Sequence, residues 1–151
     1  MPDNNPVAQN RALQYLKQQI EQAGPVQQVV MLLDGGVRFT LQAKEAIARG
    51  DIEARHNANQ RVMDIIAYLM DILDTDKGGA AAIQLRTIYM GILKKLMRVD
   101  FENNPTLCDE VVDHLRQLRM AWGQMPAGAT TPSVVAAAKP QDENTVRNAV
   151  A

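Results

Sequence analysis

The sequence predicts an all-α fold, an antiparallel four-helix bundle, on three observations. Glycine, proline and asparagine punctuate the 151 residues so that four long segments remain nearly free of internal breakers. Those segments are rich in Ala, Leu, Ile, Met, Glu, Gln, Lys and Arg, side chains that lose little freedom in a helix. Apolar residues recur at steps of three and four, and no alternation of polar and apolar residues lasts long enough to build a strand. The connections are only a few residues long, so neighbouring helices should run antiparallel. Three regions follow: residues 1–24 with a short cap helix, a bundle over 25–125, and a disordered tail over 126–151.

Each element has its own signals. From Arg11 to Ala23, Leu13, Leu16 and Ile20 fall at helical spacing and give a weakly amphipathic helix that needs something to lie on. Gly24-Pro25 opens the first long helix with proline in a permitted position, and Arg49-Gly50 closes it with a cation and a C-cap glycine. Asp51 caps the second helix, which runs from Ile52 to about Leu73 and stops before the turn Asp74-Thr75-Asp76-Lys77-Gly78-Gly79. The third helix spans about Ala80 to Phe101. Asn104-Pro105 starts the fourth, with Asp109 and Glu110 near its positive end, and that helix continues to about Met125. Beyond it, residues 126–151 carry no periodic apolar face.

The fourth helix has one apolar face, made by Leu107, Val111, Leu115, Leu118, Trp122 and Met125. The first two helices each carry a second row. In the first, Val29, Leu32, Gly36, Phe39 and Ala43 form one row, and Val30, Leu33, Val37 and Leu41 the other. In the second, Ala58, Val62, Ile65, Leu69 and Ile72 form one row, and Met63, Ile66, Met70 and Leu73 the other. Read as surplus to the core, Val30, Leu33 and Val37 with Met63, Ile66, Met70 and Leu73 would line an apolar groove for a partner's helix, where methionine adapts to varied shapes. The same rows would alternatively serve a structural or regulatory bundle that homodimerises. Leu32, Leu69, Ile88, Leu115 and Trp122 are expected in the core.

No constellation for catalysis or metal binding is legible. Glu53-Ala54-Arg55-His56 is the one Glu-x-x-His, and a di-iron bundle site requires two such motifs. Glu110 and His114 are placed on the solvated side. There is no phosphate-cradling glycine loop and no nucleophile elbow. A net charge of −1 leaves no basic field for nucleic acid. The longest apolar stretches, from Val29 and from Ile65, are too short for membrane insertion. A single cysteine, Cys108, excludes an internal disulfide and reads as a small buried side chain. No cofactor is implied, and a cytoplasmic binding protein, not an enzyme, is expected.

The order of several short motifs resembles the FliS family of flagellar export chaperones. They are Tyr15 ahead of a proline-led helix, Met31-Leu32-Leu33-Asp34-Gly35 with Arg38-Phe39, Ala43-Lys44 leading to Gly50-Asp51-Ile52-Glu53, and Asp64-Ile65-Ile66. Leu73-Asp74 with Lys77-Gly78-Gly79, Ile88-Tyr89, Lys94-Lys95-Leu96 and Ala121-Trp122 complete the series. The sequence departs from the family pattern at Gly24, Gln28 and Leu33, and at Met90-Gly91, where an Asp-Tyr pair is usual. The resemblance implies a compact antiparallel bundle, monomeric or weakly dimeric when free. Its implied client is the C-terminal segment of flagellin, held in the groove and kept from polymerising. The flagellar export gate and a flagellin regulator are implied as further partners. The N-terminal piece with Leu13, Tyr15, Leu16 and Ile20 would act as a cap displaced by the client.

Overall fold

The computed structural model describes residues 24–124 continuously, together with residues 6–8, 10, 11, 14, 15 and 18. The expected tail over 126–151, and Met125, lie outside the described residues. Four helices are present in the continuous stretch: α1 (Pro25–Arg49), α2 (Ile52–Asp71), α3 (Thr75–Glu102) and α4 (Pro105–Gly123).

Local chemistry sets nearly every boundary. At the end of α1, Gly50 adopts a left-handed φ of 71°, and the N–H groups of Gly50 and Asp51 close onto the carbonyls of Ile47 and Ala46 at 3.1 and 2.9 Å. The Asp51 carboxylate then accepts from the Ala54 N–H at 3.0 Å, and the Asn104 side chain accepts from the Thr106 N–H at 3.0 Å to start α4. The turn expected over residues 74–79 is tighter than the sequence suggested. Asp74 accepts from the N–H groups of Asp76 and Lys77, and this cap winds Thr75–Gly78 into a helical turn. Gly79, at φ 53° and ψ −134°, then breaks the path, so the straight part of α3 begins at Ala80 as the composition predicts.

The helices form a ring in which each packs against the one before it and α1 also closes onto α4. Cross-links confirm the antiparallel order. Asp34 accepts from Arg119 at 3.1 Å and Asp109 from Lys44 at 2.7 Å, so α1 and α4 run opposite ways. The Asn59 amide donates to the Leu96 carbonyl at 2.8 Å, and Arg55 donates to Asn103 at 2.8 Å while facing Asp100 at 3.5 Å, which orders α2 against α3. Asp100 also faces His56 Nδ1 at 3.3 Å. Exposed ion pairs such as Lys44–Asp109 contribute at most about 1 kcal/mol. Apolar burial dominates.

The seams of α1 with α2 and with α4 are the broadest, and those of α3 with its neighbours are thinner. The main core joins Leu32, Leu33, Ile66, Leu69, Tyr89 and Leu115, all within 1% of complete burial. A second, smaller cluster of Ala43, Ala58, Val99, Leu107 and Cys108 seals one end. Gly36 lets α1 approach α4 closely, since a Cβ there would stand 3.2 Å from a Leu115 methyl. Leu32, Leu69, Leu115 and Trp122 are core residues as expected. Ile88 is not: it is 42% exposed, and the adjacent Tyr89 takes the inward position at 1%.

Two buried acids carry a pH prediction. Burial pushes the Cys108 thiol from 9.0 up to about 11 and the Tyr89 phenol from 10.0 up to about 12. Both hold their protons more tightly in the folded chain, so their contribution to stability is complete below the unfolded values and is lost as pH rises towards the folded ones. Stability measured by urea titration should therefore fall as pH climbs from about 9 to about 12, and Tyr89→Phe should flatten the upper part of that fall. An unchanged slope in the variant would contradict it. A second expectation concerns Ile66, which is 0% exposed. Ile66→Asp should lower stability by about 3–5 kcal/mol, as an unpaired buried charge does, and a variant as stable as the parent would place the residue at the surface.

Candidate functional site

The helix with the thinnest seams carries five of the exposed large apolar side chains found among the described residues. α3 turns Ala82, Tyr89, Ile92, Leu96 and Val99 inwards. On its outer side Ile83, Met90 and Met97 recur every seven residues, with Phe101 one turn beyond, at 58, 43, 50 and 85% exposure. This spacing aligns them as one row along about five turns, roughly 27 Å. It is the spacing by which a helix offers a seam to another helix.

On the flank of α3 that faces α4, away from this row, lies a groove with a volume of about 390 Å³. Ile88, Gly91 and Ile92 form one wall, and Leu118 and Ala121 the other. A Cβ built at Gly91 would meet nothing within 4 Å among the described residues, so the missing side chain leaves the groove open at its middle. Lys95 and His114 stand at one end. The Lys95 ammonium donates to His114 Nε2 at 3.1 Å and approaches the Glu110 carboxylate at 3.3 Å. Further along α3, Arg98 donates to Glu102, which holds that carboxyl below its usual range.

The residues expected to line a groove between α1 and α2 lie in or against the core. Leu33 and Ile66 are 0% exposed and Val30 is 5% exposed, all inside the core. Val37, Met63, Met70 and Leu73 are half-buried and packed against that core, and Leu41 is exposed. The reason is geometric. A helix with two neighbours must bury rows about 100° apart, so a second row is a requirement of the bundle and not a surplus. Where α1 and α2 do part, the cleft is polar, lined by Gln42, Glu45, Arg49, Asn57 and Arg61 among others. Arg38 and Arg61 each lie 5.0 Å from the Phe39 ring and cover its outer face.

Of the cap residues, Tyr15 is helical and 63% exposed, while Leu13, Leu16 and Ile20 lie outside the described residues. Residues that the sequence reading missed are Ile83, Met90, Gly91, Met97 and Phe101. The seven-residue recurrence at 83, 90 and 97 was readable. It was overlooked because a third-helix face looks like ordinary core until its neighbours are known. Among the described residues no group of three or more His, Cys, Asp or Glu side chains could hold a metal ion, and no helix is long and apolar enough to cross a membrane.

Comparison with known proteins places this geometry. The family described as flagellar protein FliS matches residues 8–129. The flagellar secretion chaperone FliS of Vibrio cholerae is 29% identical over 108 residues, covering 72% of this chain and 79% of that protein. The flagellar secretion chaperone FliS of Campylobacter jejuni is 32% identical over 111 residues, covering 74% and 87%. That of Salmonella typhimurium is 29% identical over 109 residues, covering 72% and 81%. A match across most of the bundle, with an all-helical fold and an uncovered apolar helix face, makes this chain a member of the FliS family of flagellar secretion chaperones.

Proposed function

We propose that the chain is a flagellin export chaperone that binds the C-terminal segment of flagellin on its α3 face, keeps it from polymerising and hands it to the flagellar export gate. The observation that carries this reading is the exposed row Ile83, Met90, Met97 and Phe101, together with the open Ile88–Gly91–Leu118 groove on the α4-facing flank of the same helix. Uncovered apolar surface of this extent on one helix marks an interaction site, and methionine allows repacking around a client. A segment that orders on binding loses about 2–5 kcal/mol or more of the gross interaction energy, so a long row and an open groove suit it better than a small pocket. The relatives' name, flagellar secretion chaperone, supports the choice of client class.

The test is calorimetric titration of the full chain with a cognate flagellin C-terminal segment, with light scattering to give the mass of the complex. One-to-one binding with a negative heat-capacity change is expected. Met90→Asp with Met97→Asp should weaken it at least about tenfold while the fold persists, because both side chains are exposed. Gly91→Leu should also weaken it by filling the groove, yet raise thermal stability by about 0.5–1 kcal/mol, as replacing a mid-helix glycine does. Normal affinity in all three substitutions would remove α3 from the client site.

A further inference from the structure

The α3 face carries an uncompensated charge pattern. From Lys77 to Val99 the chain contains no carboxylate, although its net charge is −1 and it holds 17 acidic residues. Beyond Lys77 itself, four cations lie along α3 in that stretch: Arg86, Lys94, Lys95 and Arg98. Lys95 is paired with Glu110 of α4, and Arg98 with Glu102. Arg86 and Lys94 are exposed and have no ion pair or side-chain hydrogen bond among the described residues. They stand one turn before and one turn after Met90, so they flank the centre of the exposed row. Lys94 also falls between Met90 and Met97 on the seven-residue pattern, where a single cation in an apolar seam fixes the register of whatever helix lies against it.

We propose that the element docking on α3 is an amphipathic helix of about five turns whose apolar row is flanked by carboxylates, and that Arg86 and Lys94 select it by charge. The inference deepens the reading of the α3 face as a client site and rests on it for the partner's source. A second copy docking through its own α3 is a poor occupant, since Arg86 and Lys94 would meet cations with no carboxylate between residues 77 and 99 to relieve them. An acidic helix meets both cations and covers the methionines in one contact. Charge selection of this kind acts on encounter rate and on the rejection of wrong partners, and salt screens it.

Two helical peptides of about 18 residues, matched to the length of the row, make the probe. They share a leucine row at three- and four-residue spacing and differ only in flanking glutamates or flanking lysines. The full chain should bind the glutamate peptide at least about tenfold more tightly at about 50 mM salt, with the gap shrinking towards about 500 mM. Arg86→Glu with Lys94→Glu should reverse the preference, and an unchanged melting profile would show that this doubly exposed variant is folded. Equal binding of the two peptides overturns the inference, as does recruitment to anionic phosphatidylglycerol vesicles without peptide discrimination. Titration with the flagellin segment separates the two readings. A segment bound tightly but insensitive to salt and to the charge reversal overturns the charge inference and leaves the client reading. Discrimination between the peptides with no binding of the segment supports the charge inference and overturns the client reading.

Discussion

The double-sided burial of α1 is the constraint from which the rest of the molecule follows. α1 packs on α2 and, across Gly36, on α4, so most of its two apolar rows is buried, Leu41 excepted. Those two broad seams bring α2 and α4 to opposite sides of α1 and leave α3 to bridge them with thinner contacts. A helix held this way has only part of its circumference covered. The inner arc of α3, Tyr89, Ile92 and Leu96, is enough to anchor it, and polar ties from Asn59 and Arg55 fix its height. Its outer arc is then free to carry side chains that the fold does not require.

Much of this was legible in the sequence because the signals were local. Gly50, Asp51 and Asn104-Pro105 mark helix ends through chemistry that acts within four residues, and each does so in the structure. The position of α3 in the ring was less accessible, since it depends on which helices touch. A period of three and four says that a row is apolar but not whether a neighbour covers it. Leu33 and Ile66 illustrate the consequence. Their rows looked redundant when each helix was granted one partner, and became necessary once α1 and α2 each had two. The Ile88-Tyr89 pair shows the same limit at single-residue scale. Both are apolar and adjacent, and only the rotation of α3 decides that Tyr89 is inside and Ile88 lines the groove.

The exposed row carries its own safeguard against indiscriminate association. Ile83, Met90, Met97 and Phe101 would be a liability on a neutral face, yet Arg86 and Lys94 place two unneutralised charges around its centre. Self-association through this face would have to desolvate like charges together.

Glycine usage on the four helices separates what the fold needs from what it tolerates. Gly36 is needed because a side chain would press on Leu115 at 3.2 Å, and Gly50 and Gly79 are needed because their φ values of 71° and 53° strain any other residue. Gly91 answers to neither demand. It sits in the interior of α3, at no left-handed φ, with nothing among the described residues within 4 Å of where a Cβ would be. A glycine there destabilises the helix by about 0.5–1 kcal/mol relative to alanine, and no close approach of a neighbour offsets that loss. Its one structural effect is to keep the wall of the α3–α4 groove open between Ile88 and Ile92. The loss of helix stability at Gly91 and the open groove wall are therefore two results of one missing side chain.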